Sequence, residues 1–276
     1  MSTIVWVQSG DLSVFLGILA VTFVFGAIVG SFLNVCIHRL PHDMSVVLPA
    51  SHCPACETPL RAFDNIPFVS FLALRGRCRS CNVKISWRYP LVEGLNGLAY
   101  VLDVVRFGLE PATLVYALLL STLIVVTFID LDHQIIPNEI TFPGMPLGLI
   151  AAATVLPISW LDSLIGLLCG GGVLFFVVWI SPYIFRREGM GMGDVKLLAM
   201  LGAFLGWKAT LLTLLLGSFS GAVVGGGLMA TKLIKHSEPI PFGPFLALGA
   251  VLALFFGGSL IEWYSGFFEL ADPLLR

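Results

Sequence analysis

The stretch Gly191-Met192-Gly193-Asp194-Val195-Lys196-Leu197-Leu198-Ala199-Met200-Leu201 decides how the chain reads, because a carboxylate stands where a long apolar run begins. An ionised side chain in or beside hydrocarbon costs roughly 2.5 to 3.5 kcal/mol on insertion scales, so an acid kept there is a candidate for function. A second aspartate, Asp130, closes another apolar run in Phe128-Ile129-Asp130-Leu131-Asp132-His133. Around these stretches, 57% of the 276 residues are hydrophobic and 12% are charged, and the mean hydropathy is +0.95. Such a composition excludes an ordinary soluble domain and predicts an all-α polytopic membrane protein, since a helix satisfies its own backbone in lipid. The net charge of -2 says little as a total, and nothing in the chain suggests nucleic-acid binding.

Apolar runs long enough to cross a bilayer predict spans near residues 12–37, 90–109, 111–129, 140–156 and 161–184. The remaining apolar sequence divides at Gly206-Trp207-Lys208 and again at residues 232–239, for about eight transmembrane helices, the sixth short. The amino terminus has no basic flank and no small-residue cleavage site, so its run is read as a retained anchor. Basic residues fall almost wholly on one side of this arrangement. Arg39, Arg61, Arg75, Arg77, Arg79, Lys84, Arg88, Arg186, Arg187, Lys196, Lys232 and Lys235 face Arg106, Lys208 and Arg276 across the membrane. The positive-inside rule makes the richer side cytoplasmic, and it places Asp130 and Asp194 at cytoplasmic helix ends. The chain thus divides into a first transmembrane helix (1–37), a polar cytoplasmic segment (38–89) and a transmembrane core (90–276).

Cys53-Pro54-Ala55-Cys56 and Cys78-Arg79-Ser80-Cys81 stand in the polar segment with 21 residues between them. Two such pairs can present four thiolates tetrahedrally to zinc, and a closed four-sulfur shell is structural because it leaves no open position. Disulfides or a redox pair fit less well in a loop expected to face a reducing compartment. Cys36 and Cys169 lie in apolar runs and read as packing residues. The basic residues beside the pairs either bind lipid headgroups or simply follow the orientation rule. The chain shows no periodic internal repeat. Glycine clusters at residues 170–172 and 225–227 let helices approach closely.

Two carboxyl groups at short range do not both ionise easily, so one keeps a proton while the other acts as base, which is the chemistry of water activation. Asp194 with Asp130 or Asp132 forms such a set, and glycine at 191 and 193 permits close approach or an unusual backbone at Asp194. The bland alternative is that the aspartates are interface residues, Asp194 placing charge at a helix amino terminus. His133 beside Asp132 raises a metal or relay site, but no HExxH pattern supports it. Glu93, Asn96 and Asp103 lie on one face of the second span as a polar seam, with Glu93 a supporting residue for function. A proton-coupled transporter also uses intramembrane carboxylates, but the internal symmetry of that class is missing.

These residues resemble a known family, the bifunctional type IV prepilin peptidases, also called prepilin leader peptidase/N-methyltransferases. The likeness rests on residues 30–41 (GSFLNVCIHRLP), on Asn65-Ile66-Pro67 with Ser70 and Gly76-Arg77-Cys78, on both CxxC pairs, and on Arg88-Tyr89-Pro90-Leu91-Val92-Glu93. In that family one catalytic aspartate is separated from a following proline by six residues and the other ends a GxGD motif. The resemblance therefore implies Asp130, before Pro137, rather than Asp132, and Asp194 with Gly191 and Gly193. It further implies cleavage of the basic leader of type IV prepilins or type II secretion pseudopilins at the cytoplasmic face of a bacterial inner membrane. Methylation of the new amino terminus from S-adenosylmethionine would follow, although no GxGxxG fingerprint marks a site for that donor. Asn138 stands where the family often has aspartate.

Overall fold

The computed structural model describes residues 12–185, 191–232 and 240–271. Arg186, Arg187, Lys235 and Arg276, which entered the charge count, lie outside the described residues. The long elements are α1 (Leu12–Arg39), α3 (Arg88–Phe107), α4 (Pro111–His133), α5 (Asn138–Thr154), α6 (Trp160–Phe185), α7 (Met192–Ala230) and α8 (Gly243–Ala271), with a short α2 (Val69–Ala73) between α1 and α3. Among the described residues there is no strand, only two isolated bridges in the cysteine segment. The chain parts after Pro137 into two compact units.

Among the described residues five helices, α1, α4, α6, α7 and α8, are long and apolar enough to cross a membrane. Their outer faces carry large apolar side chains in the open, as with Val21 at 71%, Leu114 at 74% and Phe219 at 69% exposure. A folded protein that shows this much hydrocarbon is adapted to lipid. The expected count of eight rests on three further segments. Helix α3 carries Glu93, Asp103 and Arg106, and α5 is only 17 residues long with Pro143 and Pro146 inside it. The third is half of α7. Its 39 residues would extend about 58 Å at 1.5 Å per residue, roughly twice the hydrocarbon thickness. Gly206 breaks it with φ 75° and ψ 168°, a conformation open to glycine and strained for other residues. The sequence division at this glycine is therefore a real interruption of the helix.

In the first unit α1 lies on α3 through Gly26 and Gly30, spaced four apart. A β-carbon added at Gly26 would stand 2.8 Å from Gly97 Cα, and one at Gly30 would stand 2.7 Å from Glu93 Cα. Small residues at this spacing let the backbones meet, so that carbonyls come within reach of the facing helix. Asn96 uses that proximity, donating from Nδ2 to Gly26 O at 2.7 Å and accepting from Ser121 Oγ at 2.8 Å. Asn34 Nδ2 donates to Tyr89 O at 3.2 Å. The polar seam expected from the sequence is thus buried, with Asn96 satisfied by α1 and α4.

In the second unit α6 meets α7 backbone to backbone at Gly166 and Gly202, with Gly170 against Leu198, while α8 closes on α7 through Gly249 and Gly217. Close packing explains Gly170. It does not explain Gly172, Gly226 or Gly227, where an added β-carbon would meet nothing within 4 Å. Gly202→Val is expected to destabilise this unit, because its branched side chain would enter the Gly166 backbone. Overpacking of this kind costs about 1 to 3 kcal/mol, and thermal unfolding in detergent would show it as a lowered Tm beside an unchanged Gly226→Ala.

Candidate active site and metal centre

The cysteine segment is two copies of one knuckle, offset by 25 residues (53 to 78 and 56 to 81). In each copy the first cysteine's N–H donates to the residue five on, at 3.0 Å from Cys53 to Thr58 O and 2.9 Å from Cys78 to Val83 O. Its carbonyl accepts from the residue four on, Glu57 or Asn82, and these two have φ 57° and 58°. Bridges His52 to Pro59 and Arg77 to Lys84 close the two loops. The sequence showed the two pairs but not their matching backbone turn, because only the cysteines are shared between the copies.

The four sulfurs lie within 4.8 Å of one another, and Cys53 Sγ is 3.8 Å from Cys81 Sγ. A tetrahedral zinc with Zn–S near 2.3 Å has sulfur–sulfur edges of about 3.8 Å, so the donor set fits the metal. None of the four is in a disulfide. The thiols already differ among themselves. Thr58, whose hydroxyl is 3.3 Å from Cys56 Sγ, holds Cys56 down to about 6. The Cys81 and Ser80 N–H groups lower Cys78. Against the lowering pull of the Val83 N–H, desolvation and the three neighbouring sulfurs push Cys81 up to about 12. Cys53, Cys56, Cys78 and Cys81 would hold a divalent cation as thiolates, so binding it would release their remaining thiol protons.

The loop is fastened to the helices at named points. Arg39, buried at the end of α1, donates to Ser45 O at 2.9 Å and to Pro49 O at 2.8 Å. Glu93 accepts from the Phe68 N–H at 3.0 Å, and the Phe68 ring stacks on Phe23 of α1 at 6.1 Å between centroids. Glu93 thus ties α3 to the loop just ahead of α2. Within the loop Arg79 donates to both oxygens of Asp64, closest at 2.6 Å, and holds that carboxyl below its ordinary range. This clamp therefore stabilises fully above the usual carboxylate range and is lost as pH falls through the lowered value.

Asp130 and Asp132 end up in different surroundings although they share one helix end. Asp132 is exposed and paired with Arg88, which also donates to Phe128 O at 3.2 Å and lies over the Phe128 ring at 4.9 Å. Asp130 is buried at 5% exposure, and its carbonyl accepts from Gln134, whose φ of 54° stops α4. Arg88, which the sequence did not connect to either aspartate, therefore anchors the turn that carries Asp130. An arginine opening one helix opposite an acid closing the next was the available signal. His133 is edge-on to His42 at 5.4 Å. The four cysteines form the only metal-ligand cluster found among the described residues.

Asp194 is buried at 8% exposure in the first turn of α7, where the macrodipole favours negative charge. Gly191 caps that helix in extended conformation at φ -80°, which any residue adopts, and Gly193 is helical without a left-handed φ. Backbone freedom is thus not what these glycines contribute here. A β-carbon on Gly191 would stand 3.9 Å from Asp194 Oδ2, so a longer side chain would reach the carboxylate. Lys196, two residues on, turns away to Asn138 Oδ1 at 2.8 Å and lies over Phe142 at 5.1 Å. Asp130 belongs to the first unit and Asp194 to the second.

Residues 24–107 match the bacterial peptidase A24 N-terminal domain, and residues 117–226 match the type IV leader peptidase family. Similar proteins include one from Aeromonas hydrophila, 40% identical over 269 residues that cover 89% of this chain and 93% of the relative. One from Pseudomonas aeruginosa is 39% identical over the same length and coverage. One from Myxococcus xanthus is 47% identical over 203 residues, 74% of this chain and 61% of the relative. All three are named prepilin leader peptidase/N-methyltransferase. No solved structure matches the chain.

Proposed function

We propose that this chain, which belongs to the type IV leader peptidase family, removes the leader of prepilins and N-methylates the amino terminus so exposed. The observation that carries the reading is near end-to-end similarity to proteins bearing both activities in their name, joined to two buried carboxyl groups at helix ends of a membrane protein. Asp130 and Asp194 supply the acid and the base. The ionised member takes a proton from the attacking water, and the protonated member polarises the scissile carbonyl and then helps the amine depart. Such a pair titrates as a unit, so neither role belongs to one residue.

The cysteine segment holds zinc as a structural ion, its four thiolates leaving no position for substrate. The methyl donor is S-adenosylmethionine. The protein sits in a bacterial inner membrane with the cysteine segment and both aspartates on the cytoplasmic side. Substrates are prepilins or type II pseudopilins bearing a basic leader. The excess of Lys and Arg on that side supports this orientation.

The contrast between neighbouring acids tests the assignment. Asp132→Asn is expected to weaken the Arg88 contact and to keep cleavage within about tenfold of native, the scale of one exposed ion pair. A prepilin processing assay on Asp132→Asn beside Asp130→Asn measures this, and equal losses in the two would overturn the choice of Asp130.

A further inference from the structure

At the end of α3 away from the cysteine segment a cavity of about 700 Å³ opens between α1, α3 and α4. Asp103 lines it. Its side chain is fully buried, and neither carboxyl oxygen has a hydrogen-bond partner. Native proteins rarely leave a buried acid in this state, and in the membrane the cost is greater still. Nothing in the peptidase or methyltransferase reading uses Asp103. It stands 15 residues beyond Arg88, where α3 begins, so about 22 Å along the helix from the loop end.

The rest of the cavity says what would complete it. Val21 and Phe25 of α1 and Leu114 and Leu118 of α4 line it and are 71%, 57%, 74% and 56% exposed. Its walls are therefore apolar and open outward, toward the hydrocarbon. Glu110, at the α3–α4 turn, adds a second carboxyl group to the lining. Asp103 lies four residues before the end of α3 at Phe107, hence about 6 Å below the helix end, near headgroup depth. A ligand matched to this shape carries a hydrogen-bonding cation at the head and acyl chains behind it. A free amine would satisfy the acids and leave the walls uncovered.

The geometry points to a phospholipid site, taking a lipid with a primary ammonium headgroup from the leaflet opposite the cysteine segment. The ammonium donates to Asp103 and Glu110, and one acyl chain lies along Val21, Phe25, Leu114 and Leu118. Charge-assisted hydrogen bonds of this kind are the strong ones, and they favour a primary ammonium over a headgroup that offers only hydroxyls.

The test is native mass spectrometry of the full-length, zinc-loaded protein in detergent, titrated with dioleoyl phosphatidylethanolamine, dioleoyl phosphatidylglycerol and free ethanolamine. The native protein is expected to retain phosphatidylethanolamine at least about tenfold more tightly than phosphatidylglycerol, a preference worth about 1.4 kcal/mol. Asp103→Asn should erase that preference. Ala117→Phe, which fills the cavity and leaves both acids in place, should lower retention of both lipids. Equal retention of the two lipids by the native protein, or an undiminished preference in Asp103→Asn, overturns the site. Free ethanolamine binding as tightly as the lipid overturns the lipid assignment.

Discussion

Asp194→Asn, purified with its zinc in place, is expected to process a prepilin at least about 10³-fold more slowly than the native protein, and Asp130→Asn to do the same. Loss of a positioned acid or base costs about 10² to 10⁴ in rate, and two groups acting as one unit fail together when either is removed. The double variant should therefore be no slower than the singles, a non-additivity that independent residues would not show. Asparagine is nearly isosteric with aspartate, so folding has little reason to change. Asp194 and Asp130 are buried at 8% and 5% exposure, and replacing a costly buried carboxylate with an amide tends to leave stability unchanged or raised. An inactive variant with native Tm and native zinc content is the signature of a chemical role. A single variant within about tenfold of native, well short of the lower end of that range, would remove its aspartate from the mechanism.

The second large effect is expected at the cysteines. Cys78→Ser should lose its zinc and leave the segment between α1 and α3 open to protease, and Cys53→Ser should match it. The argument is one of size. Apart from α2 and two short 3-10 turns, the segment has no regular helix, and each of its two knuckles is held by a few backbone hydrogen bonds. Structural zinc contributes about 10 to 16 kcal/mol in small peptides, far more than those few hydrogen bonds supply at about 1 kcal/mol each. Zinc per chain by elemental analysis, with limited trypsin digestion at Arg75 and Arg77, measures both consequences. Cys36→Ser is the control, outside the cluster and expected to keep its zinc. One zinc per chain retained in Cys78→Ser would break the four-thiolate assignment.

The distinction between what the sequence carried and what it hid follows from the range of each interaction. The apolar runs were readable because lipid imposes length and composition on every span. Gly206 marked the interruption of α7 in both sequence and structure. Helix α3 was found despite its Glu93, Asn96 and Asp103, which make it less apolar than the five long helices. The cysteine cluster was legible from spacing alone. What sequence spacing does not show is which side chain meets which partner. Asp130 and Asp132 are two residues apart, and the residues alone did not separate them. The fold does, by burying one and pairing the other with Arg88 from the start of α3. Arg39 entered the sequence reading as one more positive charge, yet it is buried and holds two loop carbonyls. The unpartnered state of Asp103 was hidden in the same way, since Asn96 on the same helix face finds its partners and Asp103 does not.

One measurement reaches the central claim directly. The purified native protein is incubated with a prepilin and S-adenosylmethionine, and the pilin's amino terminus is read by mass spectrometry. The account predicts a pilin shortened by its leader and carrying one methyl group on the new terminal amine, with an intact, unmethylated prepilin from Asp130→Asn and from Asp194→Asn. An intact prepilin from folded, zinc-loaded native protein, or a shortened pilin from both aspartate variants, would contradict it.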